Sequence, residues 1–453
     1  MALFDNAIIY RIEAKCVLPL HTGDSGAQTD EILVGSDGRA IIQGSSLAGA
    51  MRAYAGVNCV KACEGLFGSN EKEGRLIISE GVFEDTSPVQ FRTRLRIDSK
   101  SGSALKGAKY DVRHIGAGSI FKFSITYLGT ERDMDSDAEE VEKILAAMDN
   151  GIIRLGAYKT SGYGKVKLEV FKQVYHMKDE SERKAWLKNE YNGRKLNLTK
   201  AATASAHNEV RFSIKCEIPE FLIKSATFDF EKKYTADTQQ NVVQQNIIED
   251  EYDEKTGQKV RYIIIPGTSL KGVIRNRVQM IADWLEKNKS IEDIGRLPDE
   301  MFGTEIGAGK KGLVLFDEVR VRYNENVNSK CCTRIRINKF TGGVIEKALI
   351  NEEPVSAGTQ ISISMPGYAG AADDSATEKK RMYLLMLYAL RDLGLGLYNL
   401  GGGQSIGRGY VKVEAVEVSD GTHSGAMYFD ENRNISCDDK DGMFRKWMDS
   451  LEV

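Results

Sequence analysis

Two stretches place glycine and hydroxyl residues ahead of an apolar run: Gly44-Ser45-Ser46-Leu47 and Gly267-Thr268-Ser269-Leu270. Each reads as the opening of a helix. A helix start offers free N–H groups and a positive dipole end, so it can hold a phosphate. Arg52 and Arg275 lie further along the same helices and add positive charge. The plainer use of these residues is capping, with Ser46 and Ser269 as the expected N-caps. Two glycine-rich stretches come later, Gly156-Ala-Tyr-Lys-Thr-Ser-Gly-Tyr-Gly164 and Gly401-Gly-Gly-Gln-Ser-Ile-Gly-Arg-Gly409. Glycines let a nucleic-acid backbone approach the chain closely, although a hairpin-like turn uses them equally well. Neither a GxGxxG between a first strand and its helix nor a GxxxxGK[ST] is present, which argues against dinucleotide-binding and P-loop chemistry. The histidines, at 21, 114, 176, 207 and 423, are dispersed. A lone histidine is more often structural than catalytic.

The elements that carry these motifs occur twice. Arg11-x-x-x-Lys15-Cys16 recurs as Arg211-x-x-x-Lys215-Cys216 at an offset of 200, and the Gly-hydroxyl motif recurs at 223. Phe67-Gly68 recurs at 235, Thr93-Arg94-x-Arg96-Ile97 at 240, and Gly162-x-Gly164-x-Val166 at 245. The blocks stay in order and the offset only grows, so the chain is a tandem duplication. Copy one spans 1–175 and copy two 209–425. A polar, lysine-rich linker at 176–208 has room for a short helix. Copy two carries an insertion at about 224–260, and the tail at 426–453 is expected to pack on it. Each copy opens with an alternating strand (Ile8, Tyr10, Ile12, Ala14, Cys16; Val210, Phe212, Ile214, Cys216, Ile218). A helix follows the Gly-hydroxyl motif, then more strands. A late helix comes next (Val141, Ile144, Leu145, Met148; Met382, Leu385, Met386, Ala389, Leu390, Leu393), and a strand closes each copy. That order suggests an α+β fold made of two tandem ferredoxin-like (RRM-like) domains.

Composition sets the background. The 453 residues are 42% hydrophobic and 28% charged, with a net charge of −3. That is an ordinary globular balance, and charge distribution matters more than the total. Residues 92–113 hold seven basic residues against Asp98 and Asp111, a net +5. Seven scattered cysteines without a CxxC pair argue for reduced thiols in a cytoplasm and against a zinc site. The start has no basic segment followed by an apolar one, so no signal peptide is expected. No apolar run reaches the roughly 20 residues of a membrane helix.

On these motifs the chain resembles the RAMP superfamily. GSSLAGAMR and PGTSLKGVIR look like that superfamily's helix signature, and the later stretches like its terminal glycine-rich loop. RTRLRIDSKSGSALKGAKYDVRHIGAGSIFKF resembles the arm of Cas-seven backbone subunits of type III CRISPR complexes, and TRIRINKFTGGVIEKALINEEPVSAGTQISI repeats it. Two such domains in one chain are similar to the fused double subunits of type III-D systems. The resemblance implies a subunit that binds a CRISPR guide RNA and its target RNA among other backbone and large subunits, with no membrane. Guide contacts would come from Ser45, Ser46, Arg52, Thr268, Ser269, Lys271 and Arg275 on the signatures. The loops would add Lys159, Thr160, Ser161, Gly162, Gln404, Ser405 and Arg408.

Each domain would carry a β-hairpin thumb inserted between bases, with Arg94, Arg96, Arg334 and Arg336 at its base and Leu105 or Ile345 at its tip. Wedging a base step open costs on the order of a few kcal/mol. The resemblance also implies target-RNA cleavage by an aspartate in the loop after the first strand, which falls on Asp30. A divalent metal such as Mg2+ would assist, and general-base help is typically worth about 10²–10⁴ in rate. In copy two the matching position is open: ungapped counting gives Asp253, aligning the hairpin turns gives Gln244 or Gln245, and Asp237 lies within the insertion. Two other readings stand beside this one, a non-catalytic guide-binding scaffold and a CRISPR RNA processing endonuclease using His21.

Overall fold

The computed structural model describes residues 4–23, 31–57, 63–84, 88–98, 104–199, 209–223, 243–252, 258–289, 291–304, 309–323, 332–366 and 373–451. The chain divides into two compact units. The first is Met1–Gln90, Arg113–Lys159 and Tyr163–Asn208; the second is Phe91–Val112, Thr160–Gly162 and Glu209–Val453.

The first half of the chain runs β1 (Asn6–Cys16), β2 (Ile41–Ile42), α1 (Gly44–Val57), α2 (Cys63–Phe67), β3 (Leu76–Ile78) and β4 (Gly81–Phe83). It continues through β5 (Val89–Ile97), β6 (Ala104–Ile115), β7 (Ile120–Gly129), α3 (Met134–Asp149), β8 (Val166–His176), α4 (Glu180–Leu187) and β9 (Arg194–Lys195). The first unit's sheet has the order β2-β4-β7-β1-β8-β9, with β3 also on β7. β1 sits centrally, antiparallel to both β7 and β8. Its alternation is why: Ile8, Tyr10, Ile12, Ala14 and Cys16 are all buried on one face. α3 buries Val141, Ile144, Leu145 and Met148 in the same core. Each such side chain contributes about 1.5–3 kcal/mol. The segment expected as a linker supplies α4, capped by Asp179, and β9, which extends this sheet beside β8.

The second half runs β10 (Glu209–Phe221), β11 (Val243–Gln245), β12 (Ile247–Tyr252), β13 (Lys259–Ile265), α5 (Gly267–Lys289), α6 (Leu297–Phe302), β14 (Leu315–Phe316) and β15 (Val319–Arg322). Then come β16 (Cys332–Ile337), β17 (Val344–Glu353), β18 (Val355–Pro366), α7 (Asp373–Gly394), β19 (Lys412–Ser419), β20 (Ser424–Phe429), β21 (Ile435–Asp438) and α8 (Met443–Met448). The main sheet of the second unit is β14-β18-β10-β19-β20-β21. β10 takes the central place that β1 takes in the first. α5 and α7 pack together in this unit's core, where Leu270, Ile274, Leu385 and Met386 are buried. The tail adds β20, β21 and α8. Trp447 of α8 is buried against Phe212 and Tyr383, with ring centroids 6.2 and 5.2 Å away.

Outside these sheets stand a three-stranded sheet, β12-β13-β15, and two ribbons, the second joined by β11 in parallel on β17. β5 pairs with β6, and β16 pairs antiparallel with β17. In each, exposed apolar residues alternate with arginines: Leu95 and Ile97 against Arg94 and Arg96, Ile335 and Ile337 against Arg334 and Arg336. Among the described residues no helix is long and apolar enough to cross a membrane.

Candidate nucleic-acid interface

The two helix signatures start alike and sit differently. α1 begins at Gly44 and α5 at Gly267, each two residues before the expected cap. Ser46 and Leu47 donate their N–H groups to the Gln43 carbonyl, and Ser269 and Leu270 to the Pro266 carbonyl. Gln43 and Pro266 therefore hold the cap positions, and Ser46 and Ser269 lie inside the first turn. This corrects the capping expectation. It leaves the hydroxyls of the first signature unused by a cap, and Ser45, Ser46 and Arg52 are exposed.

The second signature is partly covered. Within the second unit the backbone of Ser161 and Gly162 lies directly on Gly267, where a Cβ would fall 2.7 Å from the Ser161 carbonyl oxygen. Only glycine permits that approach. Lys271, one turn into α5, reaches this junction and donates from Nζ to the Thr160 hydroxyl at 3.1 Å. Burial, and then the charge of Arg275, pulls the Lys271 ammonium down to about 8. Arg275 donates to Asp299 at 2.9 Å and stays partly exposed. So Thr160, Ser161, Gly162, Thr268, Ser269, Lys271 and Arg275 share one neighbourhood. It offers backbone N–H groups, hydroxyls and cations, the donor set that holds phosphate. Lys159 lies just before it, and its carbonyl accepts from Arg154 at 3.2 Å.

The glycine-rich loops clasp the chain that follows each first strand. In the first unit, the N–H of Gly164 donates to the Pro19 carbonyl at 2.8 Å and that of Ala157 to the His21 carbonyl at 3.0 Å. In the second, Gly409 donates to the Glu220 carbonyl at 2.7 Å and Gly402 to the Leu222 carbonyl at 2.9 Å. Gly164 and Gly409 both have positive φ, and a Cβ on either would lie 2.0 or 1.8 Å from a leucine carbonyl oxygen. Their glycine is therefore required by the protein's own backbone. Gln404 and Ser405 remain exposed at the surface of the second loop.

The arginines divide into exposed and internal. Arg96, Arg336 and Arg52 are exposed, and Arg94 is half-buried. Arg92, counted with the basic stretch, is buried. Its guanidinium bonds Glu318 and lies 2.5 Å from Glu249, so its charge is spent inside the second unit. Burial pushes the Glu318 carboxyl up in spite of Arg92. Arg408 is also internal, at 4% exposure. It donates to Glu220 at 2.6 Å and to Glu352 at 2.5 Å, and Glu352 in turn accepts from Arg334 at 2.7 Å. Burial raises the Glu352 carboxyl, but the bonds from Arg334 and Arg408 outweigh it and hold it at about 2. The repeat offsets give the copy-one counterparts of Glu352 and Arg408 as Val112 and Tyr163, both fully buried. Val112 and Tyr163 thus hold in one copy the sequence positions that Glu352 and Arg408 hold in the other. Arg408 is in this setting a framework residue. No simple sequence signal marks it, because its partners lie 56 and 188 residues away.

At the second ribbon the exposed apolar residue of the turn is Phe340, at 90% exposure. Ile345, the expected tip, is a strand residue at 37%. The Asn338 side chain sets that turn by accepting from the N–H of Phe340 at 2.9 Å. Leu105 is exposed on β6, and the turn of the first ribbon, 99–103, lies outside the described residues.

Asp30 likewise lies outside the described residues, as do Asp237 and Asp253. Strand register nevertheless bears on the copy-two counterpart. Val34 bridges Ala40, and Ile248 pairs with Ile263. Ala40 and Ile263 are equivalent at the signature offset of 223, so Val34 matches Ile248, and an ungapped count of four residues back from each sets sequence position 30 opposite Gln244. His21 is 2% exposed, and its Nδ1 lies 2.7 Å from the Arg113 carbonyl oxygen. Among the described residues no group of three or more His, Cys, Asp or Glu side chains is placed to hold a metal ion.

No curated protein matches the chain. A family model described as the RAMP superfamily matches residues 13–167 and 248–412. Those two segments take in both signatures, both ribbons and both glycine loops, and they span well over half of the sequence: the chain belongs to the RAMP superfamily.

Proposed function

We propose that this chain is a guide-RNA-binding backbone subunit of a type III-like CRISPR effector complex, and that its first domain cleaves target RNA through Asp30. Superfamily membership points to a CRISPR-associated RNA-binding role. The observation that carries the finer reading is the junction of Thr160–Gly162 with the start of α5. There a glycine loop, a helix start and the Lys271 ammonium converge. A phosphate held there would take hydrogen bonds from Thr160 and Ser161, and charge from Lys271 and Arg275. The strand order also supports a ferredoxin-like reading of each domain. In both, the first strand lies between the last strand and the strand before the second helix. The ribbons, with arginines on one face and Phe340 at a tip, support the thumb reading.

Cleavage would use the 2′-hydroxyl of a nucleotide splayed at the thumb, aligned with the adjacent phosphorus. The Asp30 carboxylate would take the proton or hold a divalent metal. Copy two, with Gln244 at the matching register, lacks a carboxylate there and acts as a guide-binding scaffold. The processing-enzyme reading is weakened by His21, which is buried with Nδ1 engaged. The test is target cleavage by the assembled complex carrying Asp30→Ala. Loss of the cut at one position, with guide binding intact, is expected. Retention of every original cut rules the assignment out.

A further inference from the structure

Copy two carries a surface that the duplicated framework does not explain. The offset between copies rises from 223 at the helix signature to 235 at Phe-Gly, so 12 residues are inserted here in copy two. α5 runs for 23 residues where α1 has 14. Its last turns, α7 and the tail enclose a groove of about 800 Å³. The walls are apolar: Met280, Ile281, Trp284 and Leu285 on one side, Met448 and Leu451 on the other. Met280, Trp284 and Met448 are 55, 53 and 46% exposed, a concentration of large apolar surface that is uncommon on a finished face.

The charge of the groove is one-sided. Asp392, 1% exposed at its floor, is held by both Arg277 and Arg391 at 2.7 and 2.8 Å. Two guanidinium groups share one carboxylate, and Lys289 adds a further cation at the rim, a net +2. We propose that this groove docks an acidic amphipathic helix of a partner protein. Its apolar stripe would lie along Met280, Trp284 and Met448, and its carboxylates would meet Arg391 and Lys289. Helix-in-groove docking uses this kind of lining, and thioethers adapt to varied side chains. RNA is the less suitable occupant, because the aromatic lining is Trp284 and a half-buried Tyr388 whose ring Arg391 already covers at 4.8 Å.

The test uses the full chain and a labelled peptide of about 18 residues, roughly five helical turns, with Leu at i, i+3, i+7 and i+10 and Glu on the remaining face. Saturable anisotropy is expected, weakened about tenfold or more by Trp284→Ala and by Met280→Glu, as for a central aromatic anchor. A peptide with Gln for Glu should bind less well, and Arg391→Ala should close that difference. Both substituted groove positions are exposed, so folding should survive, and an unchanged melting curve checks it. The proposal is overturned by no saturable binding up to millimolar peptide, or by binding indifferent to both substitutions. It is equally overturned if oligouridine competes at Trp284, which assigns the groove to RNA. Self-association abolished by the same substitutions would also overturn it, by assigning the groove to a second copy.

Discussion

Replacing Arg408 by alanine should destabilise the second unit without touching RNA directly. Arg408 joins Glu220 and Glu352, and the two carboxylates differ. The Glu220 side chain is 48% exposed and can rehydrate, whereas Glu352 is 1% exposed. The penalty therefore falls on Glu352, which keeps its bonds from Arg334. Orphaning one member of a buried pair costs roughly 3–5 kcal/mol, and the surviving Arg334 contact places this case near 3. For a unit of this size that corresponds to a fall in Tm on the order of 6–12 °C. The two units are expected to melt separately, so calorimetry should be read with the fluorescence of Trp447, which is buried in the second unit. The internal repeat supplies a rescue. Arg408→Tyr with Glu352→Val installs the residue types found at Tyr163 and Val112, and exchanging a buried ion pair for apolar residues is often neutral. Recovery of most of the lost stability is expected. If Arg408→Ala leaves the melting curve in place and weakens RNA binding instead, Arg408 contacts RNA and the framework assignment is wrong.

Four further outcomes follow from the geometry. Acid should erode the Glu352 contribution: its folded value, about 2, lies below the ordinary 4.5, so the stabilisation is present above pH 4.5 and is lost as pH falls towards 2, readable as a steeper acid limb than in the rescued double variant. RNA affinity should decline as pH rises through about 8, where Lys271 in the free chain loses its charge, and Lys271→Arg should flatten that profile in filter binding. Lys271→Met should reduce the slope of log affinity against log salt by roughly 0.7–0.9, the share of one phosphate. Gln244→Ala should leave the cleavage pattern of the assembled complex unchanged, because the amide at that register is not a cutting group.

Much of the architecture was legible because burial writes itself into periodicity. Ile8 to Cys16 and Val210 to Ile218 alternate, and both are central strands. The late helices showed their buried faces at helical spacing. The caps were misread because serine is a strong capping type, yet backbone geometry gave the position to Gln43 and Pro266. Arginine was misread for a related reason. Composition records a positive charge at 92 and 408, while the carboxylates that neutralise it lie far along the chain. The copy-two partner of Asp30 is not legible in the sequence because the inserted residues break the count, and the pairing of Ile248 with Ile263 adds a register argument for Gln244 over Asp253. Phe340 went unnoticed because its importance comes from a turn, and turns carry no period.

The exchange of Val112 and Tyr163 for Glu352 and Arg408 also bears on how the protein reaches its native state. A chain with two similar domains in tandem can assemble hybrids, with strands of one copy completing the sheet of the other, a common failure of repeated domains. A hybrid that seated Glu352 beside Tyr163 would bury a carboxylate without Arg408, leaving it Arg334 from its own hairpin. That error carries the same penalty of roughly 3–5 kcal/mol as breaking the native pair. The divergence of the copies at these buried positions would thus disfavour such hybrids and help direct each set of strands to its own partners.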